Sequence, residues 1–224
     1  MVAVSGVILA AGRGTRFGGE ESKVWALLAG RPLVVHTLGA LAAANAVDEI
    51  VVVVRSGDEA RAAAVARGLS LPTRVVVGGE RRLDSARAGV TMAGGQLVLI
   101  HDGARPLASP DLVRRVLVAA RRHGAAVPVV PISDTVRYAK EGFLAETLDR
   151  SGLVLIQTPQ GFQRELLLAG YAEAERRGLD LPDDAAAVLL LGRAVAAVPG
   201  DPANLKITRP EDLILAERML PTPS

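Results

Sequence analysis

The fold is decided by eighteen residues near the start of the chain, VAVSGVIL at Val2–Leu9 and AAGRGTRFGG at Ala10–Gly19. An unbroken apolar run rich in β-branched residues is typical of a strand buried on both faces, and a Gly-rich stretch behind it can wrap an anion with free backbone N–H groups. Similar runs recur with helical segments between them, at Glu49–Val54, Thr73–Val77, Gln96–Ile100 and Ala126–Val130. This alternation predicts an α/β fold with a doubly wound, mostly parallel, Rossmann-like sheet.

The composition excludes several classes of protein. Half of the 224 residues are hydrophobic and 22% are charged, which is typical of a soluble globular domain. No cysteine is present, so disulfides, thiol nucleophiles, iron–sulfur clusters and cysteine-bound zinc are excluded. The apolar runs are far shorter than the ~20 residues of a membrane span, and no basic segment precedes the first one. We therefore expect a cytoplasmic protein that does not bind a membrane.

The charge pattern argues against nucleic-acid binding. The net charge is only +2, the arginines are spread along the chain, and aromatic residues make up 3% of it. A nucleic-acid-binding domain is expected to cluster its basic residues on one face and to offer aromatic stacking platforms. The chain contains only three lysines, Lys23, Lys140 and Lys206, and this scarcity makes each of them a candidate for a specific role.

The regular alternation stops at residues 133–157. Two short strand-like stretches, Val136–Tyr138 and Leu144–Leu148, flank a turn, and no helical segment lies between them. No linker or repeat interrupts the remaining chain. We predict one domain, residues 1–224, with a β-arm inserted at 133–157. Further on, the spacing Thr208-x-x-Glu211 predicts a capping box that opens the last helix.

The first Gly-rich loop carries basic residues but fits neither common phosphate-binding motif. A Walker A loop would continue into Lys-Ser/Thr where this chain has Glu20, and a dinucleotide fingerprint would have glycine in place of Phe17. The loop still bears Arg13 and Arg16, with Lys23 downstream, and these cations suit a triphosphate. The alternative is an ordinary flexible connection between a strand and a helix.

An aspartate ends another buried run. Asp102 follows Leu97–Ile100 and His101, which places its carboxylate at the loop edge of a parallel sheet. A carboxylate at that edge suits Mg²⁺, which is often held by one or two carboxylates and substrate phosphates. The alternative is that Asp102 caps the next turn. No serine elbow or histidine triad is recognisable, and an attacking phosphate oxygen would need none.

These motifs belong together in one known pattern. The chain resembles the 2-C-methyl-D-erythritol 4-phosphate cytidylyltransferase family of sugar-phosphate nucleotidylyltransferases, over nearly its whole length. The blocks that carry the resemblance occur in the order Leu9–Gly12-x-Gly14-x-Arg16 with Lys23, Gly78–Arg82-x-Asp84-Ser85, His101–Pro106, Asp134-Thr135, Asp149-Arg150-x-Gly152-Leu153, Gln157–Gln160-x-Phe162 and Asn204–Thr208-x-Pro210–Asp212.

The resemblance implies a nucleotide-diphospho-sugar transferase fold and an activity. The reaction is transfer of CMP from CTP to 2-C-methyl-D-erythritol 4-phosphate, giving 4-diphosphocytidyl-2-C-methyl-D-erythritol and pyrophosphate for non-mevalonate isoprenoid synthesis. It implies Mg²⁺ bound by Asp102, catalytic roles for Arg16 and Lys23, and a homodimer in which the arm supplies Thr135 and Arg150 to the partner's site. The nucleotide would contact Ala10, Ala11, Gly12, Gly14, Gly79, Glu80, Ser85, Asp102 and Gly103, and the acceptor would be positioned by Arg105, Thr135, Arg150, Thr158 and Lys206.

The chain departs from the family pattern at several positions. Ser22 and Val24 flank Lys23 where proline and glutamine are usual, and Pro182 stands where threonine is common. Ala203 stands where the family usually has an acidic residue. Whether a second carboxylate binds the metal is therefore left open, and Asp201 is the acidic residue nearby in the sequence. Two other functions also remain open: a cytidylyltransferase for another polyol phosphate such as ribitol 5-phosphate, and a nucleotide-binding module without catalysis.

Overall fold

The computed structural model describes residues 3–12, 14, 17 and 22–220. Its strands are β1 (Val4–Leu9), β2 (Leu27–Leu28), β3 (Arg31–Pro32), β4 (Glu49–Val54), β5 (Thr73–Val77), β6 (Leu97–Asp102), β7 (Ala125–Pro131), β8 (Arg137–Lys140), β9 (Phe143–Thr147), β10 (Val154–Ile156), β11 (Gln160–Gln163) and β12 (Ala196–Pro199). Its helices are α1 (Leu33–Ala43), α2 (Glu59–Ala66), α3 (Arg82–Met92), α4 (Pro110–His123), α5 (Arg164–Arg176), α6 (Asp184–Leu190) and α7 (Pro210–Met219).

One eight-stranded, mostly parallel sheet forms the centre of the described chain. Its order is β10-β7-β11-β6-β1-β4-β5, and β12 pairs in parallel with β7. Strands β6, β1, β4 and β5 pair in parallel, as the alternating sequence pattern predicts. The chain runs from β1 outward to β4 and β5, and then returns to place β6 on the other side of β1. The strand order therefore reverses between β1 and β6, where α/β sheets commonly bind ligands.

Both faces of the sheet are covered by helices. In β4, Ile50 and Val52 join one apolar cluster while Val51 and Val53 join the other, because successive side chains of a strand point to opposite faces. The first cluster includes residues of α1 and α4, and the second includes residues of α3, α5 and α6. An unbroken apolar run is therefore what this strand requires, and the predicted doubly wound architecture is confirmed.

Strand β11 is an addition to the predicted pattern. It pairs antiparallel with both β6 and β7 and so lies between two strands that run in the same direction. Gly161 in this strand permits close approach of α4, since a Cβ atom there would lie 2.9 Å from the Cβ of Ala120. Only four residues long and containing glycine, β11 lacks the apolar run by which the other strands are recognised.

The starts of two helices show how local sequence sets their ends. Ser109 caps α4, its hydroxyl accepting the N–H of Leu112 at 3.3 Å. The capping box predicted for α7, Thr208 with Glu211, is wrong by one residue at both ends, because the N-cap is Arg209 and the acidic residue is Asp212. Because Pro210 is the first helical residue, the third position of the helix is Asp212, and its carboxylate accepts the N–H and hydroxyl of Thr208 at 2.7 and 2.8 Å.

The segment 133–157 contains a hairpin and one strand of the main sheet. Strands β8 and β9 pair antiparallel and form a separate two-stranded sheet, while β10 pairs with β7. Every residue of β8, β9 and β10 is exposed. Within the described ranges, no helix combines the length and apolar character that crossing a membrane requires.

Candidate active site

A cavity of about 810 Å³ lies at the carboxyl ends of β1 and β6, where the strand order reverses. The loop after β1 contributes Ala11 and Gly12, and the loop after β6 contributes Gly103. The cavity thus occupies the edge at which the sequence places its nucleotide loop. Among the residues predicted for the site, it is lined by Ala11, Gly12, Lys23, Gly79, Glu80, Ser85, Asp102, Gly103 and Lys206.

Asp102 is a carboxylate of this cavity that is held ionised by neighbouring cations. Its Oδ2 lies 2.7 Å from Nζ of Lys206 and 3.6 Å from Nε of Arg105. Burial raises the pKa of Asp102, but Lys206, Arg105 and Arg82 together outweigh burial and lower that pKa to about 2. The following turn is closed by the main-chain oxygen of Asp102, which accepts the N–H of Arg105 at 3.0 Å. The carboxylate is thus engaged with cations at the cavity wall.

The two predicted site lysines meet at one short segment. Lys23 begins a 3₁₀ turn that extends to Trp25, and its Nζ donates to the main-chain oxygen of Ile207 at 2.8 Å. The neighbouring residue, Lys206, carries the ammonium that pairs with Asp102. The third lysine, Lys140, lies on the exposed hairpin strand β8. The structure therefore brings together the two lysines that the resemblance assigns to the site.

A buried hydrogen-bond network supports Asp102 from behind. The hydroxyl of Thr158 accepts the N–H of Asp102 at 3.0 Å and lies 2.9 Å from Nδ1 of His101. Nε2 of His101 lies 3.1 Å from the main-chain oxygen of Arg105, whose guanidinium in turn donates to the main-chain oxygen of Asn204 at 2.7 Å. Thr158 and Arg105, both predicted to position the acceptor, are buried in this layer beneath the carboxylate.

The nucleotide loop is only partly described. Arg16, predicted to be catalytic, lies outside the described residues, as does Arg13. Ala10 is buried and its N–H donates to the main-chain oxygen of Val53 at 2.7 Å. Gly14 has φ +61°, and a Cβ atom there would lie 3.2 Å from the side chain of Lys23. Glycine at this position therefore permits both the left-handed turn and the close approach of the lysine.

Thr135 and Arg150 lie away from the cavity of their own chain. Thr135 is exposed in the segment before the hairpin. Arg150 is exposed too and donates to the main-chain oxygens of Ser133 and, at 3.1 Å, Asp134. One chain by itself, over the residues described, does not bring these two side chains to the lysines.

Three arginines that line the cavity, Arg55, Arg81 and Arg82, were not predicted as site residues from the sequence. Arg82 lies in the family motif Gly78–Arg82, and this motif is the sequence signal that could have identified it as a site residue. Its distinguishing contact is with Asp184, and that residue is 102 positions further along the chain. Arg55 follows β4 directly, at the same sheet edge as the nucleotide loop.

Asp201, the nearby candidate for the acidic residue that the family has at the position of Ala203, accepts two hydrogen bonds from this chain. Its Oδ1 accepts the N–H of Ala203 at 2.9 Å, and its Oδ2 accepts the hydroxyl of Ser109 at 3.3 Å. These bonds hold the carboxylate between its own turn and the start of α4. In the described part of the chain, no three histidine or acidic side chains gather into a metal-binding group. Asp102 offers one carboxylate, which fits Mg²⁺ if phosphate oxygens supply further ligands to the ion.

Comparison with known proteins gives a consistent result. The profile of the 2-C-methyl-D-erythritol 4-phosphate cytidylyltransferase family matches residues 4–222. The enzyme of that name from Pelotomaculum thermopropionicum is 43% identical over 223 residues, covering 97% of this chain and 94% of the relative. The crystal structure of the enzyme of that name from Thermus thermophilus is 37% identical, with a TM-score of 0.81, covering 95% of this chain and 96% of that one.

Some relatives are longer proteins. The bifunctional enzyme IspD/IspF of Anaeromyxobacter sp. (strain Fw109-5) is 44% identical over 225 residues, which are 98% of this chain but 58% of the relative. The chain therefore spans little more than half the length of the bifunctional relatives it matches.

Proposed function

The chain belongs to the 2-C-methyl-D-erythritol 4-phosphate cytidylyltransferase family, and from this premise we propose that it transfers CMP from CTP to 2-C-methyl-D-erythritol 4-phosphate. The observation that carries the proposal is the convergence of Lys23, Lys206 and Asp102 in a cavity walled by the Gly79–Ser85 segment. Such a site offers cations for a triphosphate on one side and polar main-chain groups for a base on the other. The product would be 4-diphosphocytidyl-2-C-methyl-D-erythritol, the cytidine diphospho-alcohol of the non-mevalonate isoprenoid pathway.

The nucleotide is assigned to the glycine-rich walls of the cavity. Its phosphates would lie along the loop Ala10–Gly14, where glycines leave backbone N–H groups open to an anion. Cytosine would lie against Gly79, Glu80 and Ser85. The hydroxyl of Ser85 donates to the main-chain oxygen of Gly79 at 3.2 Å, which holds this wall together. Gly103 lies beside Asp102 and completes the pocket.

The reaction requires charge neutralisation and no separate base. An oxygen of the acceptor phosphate, already ionised at neutral pH, forms the new bond to the α-phosphorus of CTP. The bond between that phosphorus and the bridging oxygen breaks, and the bridging oxygen leaves with pyrophosphate. Lys23 and Arg16 are assigned to the charge that develops on the α-phosphate, and Lys206 is assigned to the acceptor phosphate.

Mg²⁺ fits this scheme through Asp102, whose low pKa keeps the carboxylate available as an oxygen ligand. A bound Mg²⁺ would supply positive charge to the phosphates of CTP. Arg105 and Thr158 hold the strand end that carries Asp102, by their bonds to Asn204 and His101. They are therefore proposed to position the acceptor pocket from beneath.

The arm is proposed to dimerise and to complete the neighbouring site. Phe143 and Leu144 in its hairpin are 78% and 76% exposed, and an apolar surface of this kind indicates a protein interface. A second copy would cover this surface and bring Thr135 and Arg150 to the other chain's acceptor phosphate. This arrangement accounts for the distance of both residues from the cavity of their own chain.

The activity is tested by incubating the protein with CTP, Mg²⁺ and one acceptor at a time while pyrophosphate is measured. Release with 2-C-methyl-D-erythritol 4-phosphate, and little with ribitol 5-phosphate, is the expected result. Preference for ribitol 5-phosphate would replace the proposed acceptor. No pyrophosphate with either acceptor, despite measurable CTP binding, would leave the non-catalytic nucleotide-binding module.

Two variants test the assigned roles. Lys23→Ala is expected to lower kcat by orders of magnitude because it removes a transition-state charge contact, while its circular dichroism spectrum should match that of the wild type. Mixing Lys23→Ala with Arg150→Ala subunits should restore one working site per heterodimer. No recovery despite demonstrated subunit exchange would contradict the role of Arg150 in the partner's site.

A further inference from the structure

Arg82 is a cavity residue whose orientation is set from outside the cavity. It is the first residue of α3 and lines the cavity together with Glu80 and Ser85. Its two terminal nitrogens donate to the two carboxylate oxygens of Asp184 at 3.1 and 2.5 Å. A bidentate pair of this kind fixes the plane of the guanidinium group. The arginine side chain is 32% exposed and lies in the cavity wall, so it is not sealed inside the core.

Asp184 is buried and fully engaged. Its side chain is 1% exposed, and its Oδ1 also accepts the hydroxyl of Tyr171 at 2.7 Å. Tyr171 is itself buried in α5, within the apolar cluster that covers this face of the sheet. A buried carboxylate is costly unless it is paired and hydrogen-bonded, and here both conditions are met. The Arg82–Asp184–Tyr171 triad therefore connects a positively charged side chain of the cavity wall to the packed helices α5 and α6.

The positive charge of Arg82 acts on Asp102, the carboxylate at the end of β6. It is one of the three cations that lower the pKa of Asp102. Burial lowers the pKa of Arg82 itself, but the ion pair with Asp184 outweighs burial and raises it. The guanidinium therefore stays charged, and its position affects the electrostatics at the end of β6.

We infer that Arg82 is a nucleotide-binding residue and that Asp184 and Tyr171 are positioning residues that act through it. The inference rests on the proposed nucleotide site and extends that site to two residues of the packed helices α5 and α6. Without the carboxylate, the guanidinium loses its fixed plane, and nucleotide binding must then overcome the entropy of ordering that side chain. The expected result is weaker CTP binding, with the acceptor pocket unaffected.

A purely structural role makes a different prediction. The triad also links α3 to α5 and α6, so its loss would lower stability in any case. Val188→Ala provides the matched control, because Val188 is fully buried in α6 and belongs to the same apolar cluster but makes no bond within the triad. This variant should lower the Tm while leaving the Kd of CTP unchanged.

The test compares Asp184→Asn, Tyr171→Phe and Val188→Ala by calorimetric titration with CTP and Mg²⁺, by Tm, and by steady-state kinetics. Asp184→Asn is expected to raise the Kd and KM of CTP about tenfold, because it breaks a charge-assisted pair. Tyr171→Phe should raise both by a smaller factor, since the aromatic ring is kept and one hydrogen bond to Asp184 is lost. The KM of the acceptor should stay at its wild-type value.

The inference is overturned if both triad variants bind CTP as the wild type does while their Tm falls as it does in Val188→Ala. Should Asp184→Asn fail to fold, the nearly isosteric Tyr171→Phe decides the question. CTP binding is measured without the acceptor, so a wild-type protein that binds CTP but releases no pyrophosphate would refute the proposed transfer alone. A wild-type protein that does not bind CTP would refute the transfer and the inference together.

Discussion

His101 is a buried imidazole, and its protonation is expected to destabilise the protein at mildly acidic pH. Burial lowers the pKa of His101 from 6.5 to about 4. Its Nε2 faces the main-chain oxygen of Arg105, and its Nδ1 faces the hydroxyl of Thr158. Since a carbonyl oxygen can only accept, the neutral ring carries its proton on Nε2, and Nδ1 accepts from Thr158. A second proton on Nδ1 would remove this acceptor, and the hydroxyl hydrogen of Thr158 would then have to rotate away from the ring.

The size of the effect follows from the two pKa values of His101. The unfolded chain binds the proton below about pH 6.5, and the native chain binds it only below about pH 4. In this window the unfolded state holds more protons, so the free energy of unfolding falls as the pH falls. About pH 5 lies roughly 1.5 units below the ordinary value, at about 1.4 kcal/mol per unit, so the loss there is about 2 kcal/mol.

The assay is urea unfolding followed by circular dichroism at about pH 7.5 and about pH 5, for the wild type and His101→Gln. Glutamine does not titrate and retains a donor for the oxygen of Arg105. The wild type should lose about 2 kcal/mol more than the variant between the two pH values. Other titrating groups are common to both proteins and cancel in the difference. Equal losses in the two proteins would refute the assignment of a neutral, buried His101.

Three further substitutions test the site and the fold. Lys206→Met removes the ammonium beside Asp102, and kcat/KM should fall by roughly 100-fold or more with an unchanged circular dichroism spectrum; near-normal kinetics would contradict its role. Ser109→Ala removes the cap of α4 and should cost about 1 kcal/mol in urea unfolding while activity is retained, and an unchanged midpoint would show that the cap is dispensable. Gly170→Ala places a Cβ atom 2.5 Å from the main-chain oxygen of Ala187, so the free energy of unfolding should fall by ~2 kcal/mol, and a wild-type Tm would show that α5 and α6 adjust freely.

The fold was largely predictable because most of its central strands are continuous apolar runs. The run Glu49–Val54 has no polar interruption after its first residue, and only a strand covered on both faces needs that pattern. Strand β11 gives no such signal, since it is short and contains Gly161. Its place is set by β6 and β7 on either side, which are tertiary neighbours that local sequence does not encode.

Part of the candidate site could be predicted from short motifs, together with the family resemblance that links them. Lys23, Asp102 and Lys206 stand in three separate blocks, and the structure brings them to one cavity. Arg82 was not predicted, because its distinguishing partner, Asp184, is remote in sequence and ordinary in composition. The capping error at α7 has a similar cause, since the register of the cap depends on which residue starts the helix and not on spacing alone.

The bond between Nζ of Lys23 and the oxygen of Ile207 joins residues 184 positions apart, and it has a consequence for biosynthesis. During translation β4 and β5 can pair as they emerge, since these two strands are consecutive both in the chain and in the sheet. The ammonium of Lys23 gains this partner only after nearly all of the described polypeptide has left the ribosome. The proposed active site is therefore expected to be complete only after residue 207 has been synthesised, and this makes its assembly a late step in biosynthesis.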